Sequence, residues 1–598
     1  MPSFESVTNL PSECSVLICG GGPIGLTQAL LLNQLNIDCV VLEKYPTRLG
    51  APKAHAVNPR TIEIFRQLKL DTERLRRLGT GRDEAGLVWF LNTLNGTRLG
   101  SLPYERQDDA VLELTPEPFF NVAQPELEDW LRTEARRRGV QLCDGYEWLS
   151  RSDGVSTVRE RKTKQDHQIK SKYLIACDGS RSNVRSSLDI PFDEKAPPAE
   201  MMTFHFNADI TKLAGHRRGA LYFFFNPIVK DYAVIVTHQL ASNHVLVAKC
   251  GRGIPFDESY FTQERSKSII NRLLGTKDLQ YDVLATKAWY MSVNVARTYQ
   301  ADDTFLVGDA AHAFPPTGGL GLNTGVADAH NLAWKIATVE GGFAEPSFLK
   351  TYDAERRPIA HTNADQSAHN RRQIGLLQDA VKAHDLGPLL EETKANGSTA
   401  QNGASSNKSH VDGSDINKTK QSQSGPSPSE EECDSFTDQI NKLMVEPDSR
   451  AIIDHALELQ REHFDSLDLQ LGYVYGKQRD TSRNCADYVP SGEVGARLPH
   501  AIIDIGASEL STLDLVTPGR FTLVVTKDTV LGNTPPELVK SVNRVILGSD
   551  FTLRNQAFWQ TLNKLDRSVG LLVRPDQHIL ARVSSVEDLQ GVLKAYLQ

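Results

Sequence analysis

The stretch CSVLICGGGPIGLTQALLLNQLNIDCVVLEK, residues 14–44, decides the fold. SVLIC is a short uninterrupted apolar run, the pattern of a parallel strand covered on both faces. Glycines follow at positions 20, 21, 22 and 25, LTQALLLNQL reads as an amphipathic helix, and DCVVLE as a second buried strand ending in an acid. Strand, turn, helix and strand in about thirty residues is the length of a βαβ unit. Each residue type has a physical task. Gly20 permits the tight turn, Gly22 lets the backbone approach a pyrophosphate, and Gly25 lets the helix pack closely on the strand. The helix N-terminus offers open N–H groups and the positive end of its dipole. Glu43 is placed to hydrogen-bond a ribose hydroxyl. The unit therefore reads as dinucleotide-binding, in an α/β protein.

Working outward, KYLIACDGSRSNVRSSL, residues 172–188, is an apolar strand that delivers Asp178 and Gly179 into a turn. DTFLVGDAAHAFPPTGGLGLNTGVADAHNLAWKIA, residues 303–337, is a strand ending in Asp309, a Pro/Gly-rich loop, and a helix that begins near Asn323. In this order the three segments resemble the single-component FAD-dependent aromatic hydroxylases, the group that includes p-hydroxybenzoate and phenol hydroxylases, over residues 12–375. PKAHAVNPRTIEIFRQL, 52–68, and FNVAQPELEDWL, 120–131, are similar to two further segments of that family.

The resemblance implies roles for particular residues. Asp309 would hold the ribityl chain of FAD, and Gly321, Leu322 and Asn323 would place backbone N–H groups at the flavin pyrimidine ring. Asp178 and Gly179 match a motif shared between FAD and NADPH, Arg60 would face the cofactor, and Gln124 would touch the flavin side. No second GxGxxG follows a strand, so NADPH or NADH is expected to visit a shared cleft. The implied reaction is monooxygenation of a phenolic or polyketide-like aromatic, with O2 activated as a flavin C4a-hydroperoxide. Such a substrate reacts best as its phenolate, which calls for a base. His55 occupies the place where phenol hydroxylases carry an aspartate, and Tyr232 is the second catalytic candidate, with Tyr222 and His238 behind it. His312, after GDAA, reads as a loop-shaping residue. Baeyer–Villiger, epoxidising or decarboxylating outcomes stay open on the same motifs, as does a flavin-binding dehydrogenase or a non-catalytic flavoprotein.

The remaining composition narrows the setting. The chain has 598 residues, 40% hydrophobic and 24% charged, with a net charge of -9, which does not invite nucleic acid. It shows no secretory leader and no apolar run of membrane-spanning length, so a cytoplasmic protein is expected. Eight scattered cysteines form no CxxC and no metal site.

A chain of this length needs several cores. The reading assigns 1–195 and 296–375 to an FAD-binding domain and 196–295, with ALYFFFN, YAVIVTH and HVLVAKC, to an inserted β-sheet substrate domain. It assigns 376–393 to a helical segment, the Ser/Asn/Gly-rich 394–434 to a disordered insertion, and 435–489 to a helical linker. Residues 490–598 resemble the C-terminal thioredoxin-like domain of the phenol-hydroxylase branch, including VRPDQ at 573–577, but lack CxxC. A structural role and a candidate homodimer contact are expected of them.

Overall fold

Strand Glu13–Cys19, which contains SVLIC, forms the middle of a sheet in the computed structural model, which describes residues 10–46, 50, 52–194, 197–251, 254–382 and 428–598. It pairs in parallel with Cys39–Glu43 on one side and Asp166–Ala176 on the other. Gln141–Asp144 and Thr304–Leu306 extend the parallel sheet at its two flanks. Helices cover both faces, so Val16, Leu17 and Ile18 are wholly buried and the run needs no polar alternation.

The helix Pro23–Gln34 departs from its reading. An amphipathic helix is expected, yet Leu26, Thr27, Gln28, Ala29, Leu30 and Leu32 are all buried. The helix lies between the sheet and two others, Gln124–Arg137 and Leu320–Glu340, which leaves it almost no wet face.

A second, seven-stranded sheet runs Asp282–Met291, Ala199–Asn207, Asn243–Lys249, Ala233–Gln239, Leu221–Phe224, Leu87–Leu91 and Arg98–Pro103. Its last two strands come from within the 1–195 segment, which corrects the assignment of all that segment to the cofactor unit. The physical reason is parallel pairing of Leu221–Phe224 with Leu87–Leu91, which no local pattern announces. Side-chain alternation divides the sheet cleanly. Trp89, Leu91, Tyr222, Phe224, Ile235 and Leu246 enter one core, covered by helix Gln263–Leu274. Val88, Phe90, Leu221, Phe223, Val234 and Val236 enter another, facing the helices Thr351–Lys382 and Pro447–Glu458.

The helical segment expected at 376–393 continues the helix Thr351–Lys382, and its remainder lies outside the described residues. The same holds for 394–427 of the expected insertion. At the insertion's far end the structure corrects the boundary. Helix Glu430–Val445 begins inside it, because Ser429 and Glu432 form a reciprocal capping box. Ile440, Leu443, Ile453, Leu457 and Phe464 then pack into the core of the second sheet, so 435–489 is a wall rather than a spacer.

The C-terminal segment holds a sheet ordered Val542–Leu547, Phe521–Thr526, Gly570–Val573, Ile579–Val583. The first pair is parallel and the rest antiparallel. Phe521 and Tyr596 reach Trp334 and Phe348 of the cofactor unit, with ring centroids 6.0 and 5.4 Å apart, so the cores are continuous. Among the described residues no helix is long and apolar enough to cross a membrane, and no cluster could hold a metal ion. All eight cysteines are free thiols.

Candidate active site

Gly20 has φ +110°, and a Cβ there would lie 2.1 Å from the Cys177 carbonyl oxygen. A Cβ at Gly25 would lie 1.9 Å from the carbonyl oxygen of Gly20. Gly22 differs: it caps the helix Pro23–Gln34, and a Cβ on it would meet nothing within 4 Å. That helix has no side-chain cap and no acid in its first turn, so its N–H groups and dipole face open space. The Glu43 carboxylate accepts from Gly21 N and Tyr45 N, both at 2.9 Å, which holds it over the loop.

Asp178 Oδ2 accepts from Asn183 N at 2.8 Å and Val184 N at 3.3 Å, at the start of helix Asn183–Ser187. Its Oδ1 is buried with no partner among the described residues, and burial raises the carboxyl above its ordinary range. Gly179 beside it has φ +85° and an open Cβ direction.

Asp309 is exposed in a run where Val307, Gly308 and Ala310 are buried, so the turn aims it outward. Protein crowding at longer range still raises its carboxyl, while His312 and Lys53 pull it back. His312 shapes this turn: its Nε2 lies 2.8 Å from Asp328 Oδ2, and Arg356 Nε donates to Asp328 Oδ1 at 2.7 Å. The helix Leu320–Glu340 starts three residues before Asn323, because Gly319 at φ +61° serves as its N-cap. It too lacks a side-chain cap, leaving the N–H groups of Gly321 and Leu322 in an open first turn. Asn323 Nδ2 donates to Ala56 O at 3.0 Å, and its Oδ1 accepts from Asn58 N at 3.0 Å and Thr61 Oγ1 at 2.8 Å. Its side chain thus fastens the helix start to the 56–61 segment.

Two open helix N-termini, a held acid, an outward Asp309 and a glycine cradle suit a dinucleotide with an electron-accepting ring. Arg60 is not part of this cleft, which corrects its reading as a cofactor contact. It is buried, donating to Gln577 Oε1 at 2.6 Å, Asp576 O at 2.8 Å and Glu63 Oε2 at 3.0 Å. The cation nearer the cleft is Lys53, which is exposed and acts on Asp309. It stands in the same PKAHAVNPR stretch, so a signal existed and Arg60 drew it.

The two segments 52–68 and 120–131 pair with each other. Ala56–Val57 lies antiparallel to Phe120–Asn121, and Ala54 and His55 extend the pairing through Gln124 N and Val122 N, each at 2.9 Å. Gln124 Oε1 also accepts from Ala54 N at 3.2 Å, and its Nε2 donates to Glu128, so this glutamine fixes the backbone beside His55.

His55 Nδ1–H donates to Asn121 Oδ1 at 2.8 Å, which leaves the Nε2 lone pair for the interior. Surrounding protein lowers the ring to about 4, with Asn121 opposing, so it is an uncharged acceptor at neutral pH. Beyond it is a packed aromatic cluster. Tyr104 lies 5.8 Å from His55 between centroids, Phe119 and Phe464 lie 5.3 and 6.2 Å from Tyr104, and Phe223 lies 5.7 Å from Phe464. His238, from the second sheet, meets His55 edge-on at 5.8 Å.

Tyr232 is not brought to this point. It shares the face of His238 but stands six residues earlier on a nearly extended run, about 20 Å away. Its ring packs on Phe223 and Phe225, and burial pushes its hydroxyl up to about 12, so it is a core aromatic. Tyr222 is on the opposite face, wholly buried, donating to Arg217 O at 2.8 Å. Tyr104, Phe464 and Asn121 were not found from sequence, and no local pattern marks them.

Comparison with known proteins agrees with this geometry. The family described as FAD binding domain matches residues 13–367. The 2,4-dichlorophenol 6-monooxygenase of Delftia acidovorans is 28% identical over 617 residues, covering 98% of both chains. The tetracenomycin A2 monooxygenase-dioxygenase of Streptomyces glaucescens is 33% identical, over 59% of this chain and 67% of its own. Among solved structures, the flavin-dependent monooxygenase PieE in complex with FAD and substrate superposes with a TM-score of 0.82 at 25% identity, covering 98% of this chain and 99% of its own. Aklavinone-11 hydroxylase with FAD and aklavinone shares the fold, with a TM-score of 0.74 at 23% identity, covering 98% of this chain and all of its own at 100%.

Proposed function

The chain belongs to the FAD-binding-domain family and is an FAD-dependent monooxygenase, and on that premise we propose that it hydroxylates a phenolic or polyketide-like aromatic ring. One observation carries the proposal: His55, with its tautomer held by Asn121, keeps its other ring nitrogen free of that bond beside an aromatic cluster. Ala56 next to it accepts from Asn323 in the first turn of helix Leu320–Glu340, so base and cofactor cleft are adjoining parts.

Gly20, Gly22, Gly25 and Glu43 would bind the dinucleotide portion, and Asp178, Gly179, Lys53 and Asp309 would line the rest of the cleft. The open turn at Gly321 and Leu322 would meet the ring, where a helix N-terminus favours negative charge. FAD, when bound, supplies the redox chemistry between NADPH or NADH and O2. The protein's own work is to orient the aromatic, exclude water with Phe119, Phe223 and Phe464, and take the phenolic proton at His55 Nε2.

The substrate class follows the curated relatives, which are named for chlorophenol, nitrocatechol and polyketide substrates. The division into cofactor, sheet and C-terminal domains belongs to the same proposal, as does a thioredoxin-like assignment of 490–598. A parallel strand pair continued by an antiparallel hairpin supports that assignment. A cytoplasmic setting fits eight free thiols, and a homodimer through the C-terminal unit would use its exposed Val530 and Phe558.

The test is NADPH consumption with parallel oxygen and peroxide assays across phenols and polyketide aromatics. Stimulated consumption, little peroxide and a product heavier by one oxygen are expected. A product with an inserted ester oxygen, or consumption that no aromatic stimulates, overturns the hydroxylase assignment.

A further inference from the structure

Strand Ala233–Gln239 alternates its side chains, and this places His238 on the face toward His55, whereas Thr237 turns to the other face and pairs with His244. The positions of the two facing histidines are tied by one residue. Thr80 N donates to Asn121 O at 2.8 Å, and the Thr80 hydroxyl donates to the His238 carbonyl. Asn121 in turn holds His55. One short connection therefore sets the distance between two rings that come from different sheets.

The other histidines of this sheet have ring partners. His244 bonds Ala208 O at 2.9 Å and Thr237, and His205 bonds Asn243 at 3.0 Å. His238 is 5% exposed, its ring makes no hydrogen bond to a described residue, and its nitrogens are not among the fully enclosed unpartnered atoms. They therefore keep open surface from which a ligand can complete them.

We propose that His238 touches the substrate: its ring N–H donates to the phenolic oxygen while His55 Nε2 takes that oxygen's proton. The proposal rests on the aromatic-hydroxylase reading. A neutral imidazole has one N–H and one lone pair. His55 spends its N–H on Asn121, so toward the cluster it can only accept. The phenol gives His55 its single proton, and the oxygen then needs a donor, which His238 supplies. The O–H bond breaks, an N–H bond forms at His55 Nε2, and the electron pair stays on oxygen. His55 becomes imidazolium, still bonded to Asn121 and now paired with the phenolate, whose charge opposes the burial that holds the ring at about 4 without substrate, and His238 keeps its proton. Burial, with His55, His244 and His205 adding to it, holds His238 well below the ordinary histidine range, so it stays uncharged and does not compete for the proton. Of the titratable groups only these three rings act on it, His244 from across the sheet, and no carboxylate or guanidinium does.

The probe is 4-nitrophenol, whose ionisation on the FAD-loaded full chain is read by difference absorbance and needs no turnover. The native protein should shift bound 4-nitrophenol toward phenolate, His238→Leu should weaken that ionisation about 10- to 100-fold, and His238→Gln, which keeps an N–H donor, should restore most of it. FAD content should stay constant across the three. With an oxidisable phenol, the kcat/KM loss in His238→Leu should shrink as pH rises past the phenol's own ionisation. A native protein that leaves 4-nitrophenol ionisation unchanged, or an equal shift in native and His238→Leu, overturns the proposal. Failure of the hydroxylase reading shows separately, as NADPH use that no aromatic stimulates.

Discussion

Two buried polar regions adjoin the first unit, and they are built on opposite terms. On the C-terminal side, the carboxylate of Glu63 accepts from Arg497 at 2.5 and 2.9 Å, from Arg60 at 3.0 Å and from Thr115 at 2.6 Å. Arg574 forks onto Glu355 with two contacts of 2.8 Å, and Lys335 shares that carboxylate, also at 2.8 Å. Burial alone would raise Glu63, but Arg497 and Arg60 more than offset it and hold it at about 2. The charged groups here answer one another, and of their polar atoms Arg60 Nε is left without a partner among the described residues. In the aromatic cluster, His55 and His238 are uncharged; His55 bonds Asn121 through Nδ1, and the His238 ring makes no hydrogen bond to a described residue. Charge pairing makes the first region architecture that joins residues 60–63 to 497 and 355 to 574. On the proposed function, the open nitrogens of the second meet the substrate.

Crossed substitutions break or sharpen this contrast most strongly. His55→Ala should lower kcat/KM on a phenol by 10²- to 10⁴-fold, on the order of a missing general base, with the thermal midpoint unchanged or raised. Arg497→Ala should do the reverse, costing about 3–5 kcal/mol of stability by leaving Glu63 buried with a lost partner. Its turnover per FAD-loaded molecule should stay close to native. Thermal melts and steady-state rates on both variants check the pair, and a shared loss of both properties would dissolve the distinction.

A smaller effect is expected from pH. Burial lowers His244 and His463 to about 4 and 3, and lowers His578 to about 4 against the pull of Asp576. The unfolded chain takes up protons near the ordinary value of 6.5 that the folded chain refuses. Stability is therefore full above that value and falls as pH drops through it toward 4 and below, by about 1.4 kcal/mol per pH unit for each such group. Glu63 and Glu355, both held at about 2, add their loss only below the ordinary carboxylate value of 4.5. Melting at stepped pH should show the decline starting above the carboxylate range, and a midpoint that is flat down to that range would contradict it. The smallest expected effect is Tyr222→Phe, which removes one bond to Arg217 O on the far face of the sheet. About 1 kcal/mol of stability should go, with phenol turnover untouched.

The parts legible in sequence are those whose physics is local. A buried parallel strand, a glycine turn and an open helix start lie within residues 14–44, and strands 221–224 and 233–239 declare themselves by β-branched and aromatic content. Pairing partners were less legible. Residues 87–103 lie in the chain among cofactor-unit elements yet join the second sheet, and Arg60 turns toward a loop more than five hundred positions away. Tyr232 stood ahead of Tyr222 as a sequence candidate, and sheet register sent one to each face.

The dinucleotide cleft was determined by the sequence alone, because turn sterics and helix-end N–H groups act within a few residues of Gly20, Gly25 and Gly319. The aromatic cluster was decided only by tertiary structure. His55, Tyr104, Asn121, Phe223, His238 and Phe464 come from separate elements, and long-range pairing and packing alone set which side chains meet.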